Sequence, residues 1–181
     1  MIVNILLVIA IIIIGFILKT YNVLVKLGNK VKERESGIDV LLKQRFDLIP
    51  NIVECVKGYV SHEQDTLKEV TELRGKYEKN DNLDVKEAAK LNGKINSILA
   101  LAESYPELKA DGQFNLLQSQ LNSIEDKLAI ARTSYNNAVT NYNNKVEVVP
   151  SDFVAKIFGF EKMDLFKLEN DEMRENTKIE L

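Results

Sequence analysis

The chain has 181 residues, of which 45% are hydrophobic and 28% are charged, and its formal net charge is −3. This balance gives no reason to expect nucleic acid as a partner, because a nucleic-acid footprint requires a basic patch or stripe. With only 8 glycines and 3 prolines, the sequence favours a few long helices over a sheet protein, which would need many turns.

An apolar run opens the chain. Residues 1–18 carry no charged side chain, and Ile, Leu, Val or Phe fills fourteen of the seventeen positions from 2 to 18. Each such residue favours insertion near a bilayer centre by about 0.3–0.6 kcal/mol, and a span needs about 20 residues. A cleaved signal peptide would require a basic region before the run and a small-residue cleavage site after it, and neither is present. We therefore expect residues 1–20 to be an uncleaved transmembrane anchor in the lipid bilayer.

Positive charge is concentrated directly after this run. The cations are Lys19, Lys26, Lys30, Lys32 and Arg34. Because Lys and Arg favour the cytoplasmic side, we expect a single-pass protein of the cell membrane with its N-terminus outside and its remainder in the cytoplasm. Lys19, Lys26 and Lys30 are predicted to be basic residues of the membrane interface, where they can rest on anionic headgroups.

A second apolar stripe follows with alternating steps of four and three residues, the spacing of a heptad seam. Its members are Leu27, Val31, Arg34, Ile38, Leu41, Arg45, Leu48 and Ile52. The two arginines either pair with acids or extend to solvent, or they line a polar cavity. Pro50 falls inside the stripe without changing its phase, which predicts a bent but continuous helix to about Tyr77.

Three more helices are predicted. Asp84 and Glu87 form a capping box that opens a helix to about Ser104. Its apolar face comprises Ala88, Leu91, Ile95, Ile98 and Ala102. A long helix runs from about Phe114 to Val146, and Pro150 ends it. Ser151 is expected to cap a short helix that Gly159 closes.

These patterns predict an all-α protein. Long helices with apolar stripes near 3.5 residues pack side by side in an antiparallel bundle with left-handed packing. We assign residues 1–20 to the anchor, which continues as a helix into a bundle of residues 21–160. Residues 161–181 form a charged C-terminal tail that is expected to be partly disordered, although residues 163–168 carry apolar side chains that can pack back.

The sequence resembles the LemA family of bacterial membrane proteins over nearly its whole length. The residues that carry the resemblance are Tyr21-Asn22-Val23-Leu24-Val25, Arg45-Phe46-Asp47-Leu48-Ile49-Pro50-Asn51-Ile52-Val53, Gly58-Tyr59 with His62-Glu63, Tyr105-Pro106-Glu107-Leu108-Lys109-Ala110, Ala131-Arg132-Thr133-Ser134-Tyr135-Asn136, and Tyr142-Asn143. The resemblance implies an extracellular N-terminus, an antiparallel helical bundle and no established enzymatic activity. It brings no catalytic residues to carry over.

Known catalytic patterns are missing from the sequence. His62 is the single histidine, whereas a metalloprotease helix needs two and a di-iron bundle needs two Glu-x-x-His units. Cys55 lies among apolar neighbours and is predicted to be an inert core thiol. We therefore expect no catalytic, cofactor-binding or metal-binding residues. An unrecognised enzyme would need a pocket of ionisable groups, such as Arg34 and Arg45 facing Glu125.

The end of the long helix is rich in amides and tyrosines. Asn136 and Asn143 are seven residues apart and share a face, one step from Tyr135 and Tyr142. Either these amides bind neighbouring helices and fix their register, or the four residues form a groove for a peptide or a partner helix. They are the candidate partner groove.

The leading functional hypothesis is a non-catalytic interaction or scaffold protein at the cell membrane, with a possible membrane-protein partner. The alternative is an adaptor or regulator of a membrane protease or an envelope-stress system. That alternative rests on analogy with the family and not on particular residues.

Overall fold

The computed structural model describes residues 1–60, 64–79 and 85–166, and these residues form helices and connections without a strand. The all-α prediction is confirmed. In chain order the helices are α1 (Ile2–Asp47), α2 (Ile49–Lys57), α3 (Gln64–Lys79), α4 (Val85–Ser104), α5 (Pro106–Ala110), α6 (Gly112–Glu147) and α7 (Ser151–Phe158).

The first part of α1, residues 2–18, is apolar, and the described residues bury none of its side chains. It is long and apolar enough to cross a membrane, and its most apolar stretch of 18 residues has no buried member. In the part of the chain that the structure describes, no second helix meets the same criteria. Apolar side chains on all sides of a helix are typical of a membrane span.

The predicted continuous helix to Tyr77 is wrong. The chain makes a turn at Leu48, and Pro50 lies in the first turn of α2, where its missing N–H leaves no hydrogen bond unmade. Helix α2 then ends at Lys57, and the N–H groups of both Tyr59 and Val60 donate to the carbonyl of Val56. Val60 is buried although it lies outside the helix. The apolar spacing therefore continues past the end of α2, and the end of the helix cannot be recognised from that spacing.

The chain divides into two compact units. The first combines Met1–Ile38 with the chain from Ile130 onward, and the second is Asp39–Ala129. The core of the first unit is built by α1, α6 and α7, and its buried members are Leu24, Val31, Ala138, Val139, Tyr142 and Ala155. Gly28 lies against the ring of Tyr142, and the negative charge of Glu35 raises the pKa of Tyr135. Because the later residue of α1 is paired with the earlier residue of α6, the two helices run antiparallel in this unit.

The second unit contains the end of α1, helices α2 to α5 and the first half of α6. Its largest fully buried side chains include Phe46, Ile49 and Phe114. The predicted apolar face of α4 is confirmed for Leu91, Ile95, Ile98 and Ala102, which are all buried. The long helix that was predicted from about Phe114 to Val146 is α6, and in this unit its buried side chains are Phe114, Leu117, Leu121, Ile124 and Leu128.

Helix α7 begins and ends at residues that the sequence singled out. Gly159 adopts φ 70°, the left-handed conformation that closes a helix, and the prediction of this end is confirmed. The predicted N-cap is wrong, because Pro150 precedes the helix and the buried Ser151 donates its hydroxyl to the carbonyl of Val148 at 2.7 Å. The predicted cap at Asp84, the single histidine His62 and the tail beyond residue 166 lie outside the described residues.

Candidate functional site

The four residues of the candidate partner groove lie on the part of α6 that belongs to the first unit. Tyr135, Asn136 and Asn143 are half-buried, whereas Tyr142 is buried in the core. Because seven residues make two helical turns, Asn136 and Asn143 project from one face of α6. That face is where the chain returns after α7.

Each of the two asparagines binds both main-chain groups of one residue in the returning segment. The Asn143 amide nitrogen donates to the carbonyl of Met163 at 2.8 Å, and its oxygen accepts from the Met163 N–H at 3.0 Å. Asn136 repeats the arrangement with Phe166, at 3.1 Å and 2.8 Å. Four hydrogen bonds therefore hold a stretch of chain that belongs to no helix. We call residues 160–166 the strap.

The spacing of the asparagines matches an extended chain. Seven residues of α6 rise about 10.5 Å. Three residues of extended chain, the separation of Met163 and Phe166, cover about 10 Å. Asn143 binds the earlier strap residue and Asn136 the later one, so the strap runs antiparallel to α6. The spacing of the two asparagines on α6 therefore fits main-chain groups that are three residues apart in an extended backbone.

The two tyrosines have different roles. The Tyr135 hydroxyl donates to the carbonyl of Asp164 at 3.2 Å. Burial raises the pKa of Tyr135, and the negative charges of Glu35 and Asp164 raise this pKa further, so the hydroxyl keeps its proton and remains a donor. Tyr142 packs under the strap in the core, where burial followed by the charge of Glu161 raises its pKa.

Sequence reasoning missed Arg132 and Phe160, which complete this site, whereas Met163 belongs to the 163–168 stretch that was expected to pack back. The guanidinium of Arg132 lies 5.2 Å from the centroid of the Phe166 ring, a cation–π contact. Phe160 and Met163 pack against the core of the first unit. The available sequence signal for this packing was the set of apolar residues between the charged residues of the 161–168 stretch. Hydrogen bonds between an asparagine side chain and a distant main chain do not produce a periodic sequence pattern, so the sequence could not predict them.

Comparison with known proteins assigns the chain to a family. The LemA family model matches residues 34–181. This chain belongs to the LemA family. Family membership and the single apolar helix found among the described residues are consistent with a single-pass membrane protein.

Relatives of this LemA-family chain are distant in sequence. Protein LemA of Metamycoplasma hominis is 26% identical over 151 residues, covering 81% of this chain and 66% of that protein. Magnetosome protein MamQ 2 of Paramagnetospirillum magneticum is 22% identical over 182 residues, covering 85% and 67%. Magnetosome protein MamQ of Magnetospirillum gryphiswaldense is 23% identical over 178 residues, covering 83% and 65%. The chain spans about two thirds of the length of these relatives.

The two arginines of the α1 stripe have separate environments in this LemA-family chain. Arg34 lines a cleft of about 310 Å³ together with Lys30 of α1 and three polar side chains of α6, Ser134, Asn137 and Asn141. Arg45 is only 6% exposed and forms an ion pair with Glu125. Both alternatives for the arginines therefore occur, one at each position.

The Arg45–Glu125 pair gives a stability prediction. We expect Glu125→Gln to lower the free energy of unfolding by about 1–2 kcal/mol, because a buried guanidinium loses its counter-charge. A fully buried pair would be worth more, but the Glu125 side chain is 45% exposed and solvent screens it. Denaturant titration in detergent micelles measures the change. The control is Asp126→Asn, an exposed neighbour whose effect should stay within about 0.5 kcal/mol.

A second polar cluster surrounds Asp111 at the start of α6. The Asp111 carboxylate accepts the N–H of Phe114 at 2.8 Å and the hydroxyl of Tyr59 at 2.8 Å, so it caps α6. The Cys55 thiol donates to it at 3.7 Å. Cys55 is only half-buried, so the prediction of a core thiol is wrong. Burial, and then the Asp111 charge, raise the pKa of Cys55 and keep this thiol protonated.

Acid should weaken this cluster. Hydrogen bonds from Phe114 and then Tyr59 lower the pKa of Asp111 below its ordinary value of 3.8. A lowered folded-state pKa gives stability that is present above the ordinary value and is lost as pH falls through the lowered one. We expect Asp111→Asn to lower the melting temperature at pH 7. At a pH below the lowered pKa of Asp111, the variant and the parent should have the same melting temperature. A constant difference between the two proteins across that range would contradict this role.

The predicted basic residues of the membrane interface take no part in the hydrogen bonds of the strap or of the Asp111 cluster. Lys19, Lys26 and Lys30 are exposed on α1, beyond the apolar run, and their role at a membrane interface stays a prediction. Among the described residues, no three His, Cys, Asp or Glu side chains lie close enough to hold a metal ion.

Proposed function

We propose that this chain is a non-catalytic, membrane-anchored interaction module that binds extended polypeptide segments on the asparagine face of α6. The observation that carries the proposal is the pairing of Asn136 and Asn143 with both main-chain groups of Phe166 and Met163. Recognition of a main chain accepts many sequences, which suits a scaffold more than a substrate-specific enzyme. No contact among the described residues favours the protease-adaptor alternative over this one.

The proposal includes a direction in the membrane. Five cations follow the apolar run directly. The positive-inside rule therefore supports an external N-terminus and a cytoplasmic groove. A partner that supplies its segment from the cytoplasm, or from the cytoplasmic loop of a membrane protein, would reach the groove.

A single cysteine tests the direction. In a Cys55→Ala background, Ser119→Cys adds a thiol of similar size at an exposed position of α6. We expect a membrane-impermeant maleimide to label this thiol only after the cells are permeabilised. Labelling in intact cells would overturn the orientation and leave the groove unaffected.

The groove itself is tested by removing its own occupant. Met163→Pro with Phe166→Pro deletes the two N–H donors that the asparagines bind, and the full chain in nanodiscs then presents a vacant face. A peptide with the sequence of residues 160–166 should bind this variant with a dissociation constant of about 1 mM, because the covalent link that raised its effective concentration is gone. Ligand-observed NMR detects binding of this strength.

Two matched controls make the experiment specific. The same peptide methylated on the nitrogens of the residues equivalent to Met163 and Phe166 should not bind. Nor should the unmodified peptide bind when Asn136→Ala and Asn143→Ala are added to the proline variant. Binding that is unchanged by both controls, or no binding to the proline variant, would overturn the proposed groove.

A further inference from the structure

Helix α7 has apolar side chains on the face that points away from the protein. Val154 and Ala155 are buried against the first unit. On the other side Phe153, Ile157 and Phe158 are 61%, 71% and 49% exposed, and Val148 and Val149 are exposed in the turn before the helix. We call these five side chains the α7 patch. A cluster of large exposed apolar groups on a short helix is costly in water and calls for a covering.

The α7 patch lies beside the end of the apolar part of α1. The Tyr21 ring lies 4.9 Å from the Phe158 ring and 5.6 Å from the Phe160 ring, measured between centroids. Thr20 is buried, so the protein already covers α1 at that level. Tyr21 follows Leu18 by three residues, a rise of about 4.5 Å. Phe158, the patch residue that contacts Tyr21, is therefore within about one helical turn of the run that is apolar enough to cross a bilayer.

We propose that the α7 patch inserts into the bilayer interface on the same side of the membrane as the end of the α1 span. The inference rests on α1 spanning the membrane, as in the proposed function, and adds a second lipid contact. Tyrosines such as Tyr21 are enriched at the boundary between hydrocarbon and headgroups, and phenylalanines such as Phe158 are typical of the apolar face of an interfacial helix. Lys156, which forms an ion pair with Asp152 at 3.3 Å, keeps 77% of its side chain exposed beside Phe153 and Ile157 and is placed to reach the headgroups.

Continuity with the spanning segment favours lipid over a protein partner. Five side chains are few beside the roughly 20–30 residues that each partner contributes to a stable protein interface. A bilayer needs no complementary shape and is already present at the adjoining turn of α1. Two lipid contacts on one rigid unit also fix the rotation of α1 about its axis, which a single span leaves free.

The chain contains no tryptophan, so one introduced tryptophan reports its own surroundings. Phe153→Trp and Ile157→Trp are made singly in the full chain and reconstituted in nanodiscs with lipids brominated on their acyl chains. Phe16→Trp in the apolar run is the positive control, and Thr140→Trp at an exposed position of α6 is the negative control. Circular dichroism checks that each variant keeps its helices.

We expect Phe153→Trp and Ile157→Trp to show blue-shifted emission that brominated lipid quenches, as for Phe16→Trp, while Thr140→Trp shows neither effect. Quenching of Phe16→Trp without quenching at Phe153 and Ile157 would overturn the α7 contact and leave the anchor intact. A blue shift that depends on protein concentration and is not quenched would assign the patch to a second copy of the chain and also overturn it. Loss of quenching at Phe16 would remove the anchor, and the proposed function with it.

Discussion

Replacing Asn136 and Asn143 together with alanine should release the strap while α6 stays helical. Four main-chain hydrogen bonds are lost, each worth about 0.5–1.5 kcal/mol, so closing of the strap should weaken by about 2–4 kcal/mol after allowance for its partial exposure. Alanine favours a helix more than asparagine does, so α6 itself gains slightly. The Met163 and Phe166 amides should then exchange with solvent roughly 30- to 1,000-fold faster.

A matched pair of substitutions separates this effect from a general loss of amides. Asn137 and Asn144 are also seven residues apart and are exposed, one position along α6. Replacing both with alanine should leave exchange at Met163 and Phe166 unchanged. If Asn136→Ala with Asn143→Ala unfolded the helices instead, the asparagines would be structural residues that fix packing. The asparagine face would then be part of the helix packing and not a binding groove.

Two lysines in the apolar part of α1 should detach the protein from membranes. A lysine near the bilayer centre costs about 2.5–3.5 kcal/mol, and each isoleucine that it replaces loses a favourable 0.3–0.6, so Ile9→Lys with Ile12→Lys should cost about 6–8 kcal/mol. This cost is about as large as the roughly 4–8 kcal/mol by which the fourteen Ile, Leu, Val and Phe residues of the run favour insertion. After a carbonate wash, the variant should appear in the supernatant, and the parent in the membrane pellet.

The control for this prediction is Ile9→Leu with Ile12→Leu, which keeps the run apolar and should leave the protein in the pellet. Helical signal from α3 to α7 should be the same in all three proteins, because the two substituted side chains are exposed and touch no core. A doubly charged variant that stays in the carbonate-washed membrane would show that α1 does not hold the chain there.

The periodic features of the fold were predictable from the sequence. Apolar residues repeat along α4 and α6 at the period of a helix, and burial selects the same residues in the folded chain. Gly159 was readable as the end of α7 because few other residues adopt its left-handed conformation without strain. Asn136 and Asn143 were singled out because seven residues bring two amides to one face of a helix.

The remaining features depend on contacts that have no period. The break between α2 and α3 keeps Val60 buried, so the apolar stripe passes through it without a change of phase. The strap's pairing joins Asn136 to Phe166 across 30 residues of chain, and it is made through the backbone of Phe166. Arg34 and Arg45 lie in the same apolar stripe, and no spacing in the sequence shows that Glu125, 80 residues further on, forms an ion pair with the buried Arg45.

Peptide mapping of the protein recovered from carbonate-washed membranes tests the membrane attachment most directly. Trypsin cleaves after Lys19, so an anchor that is retained yields a membrane-derived peptide covering residues 1–19. We predict that this peptide is recovered together with peptides of α6 from the same fraction. A mature chain that begins near residue 20, or α6 peptides found only in the wash, would contradict the anchored arrangement.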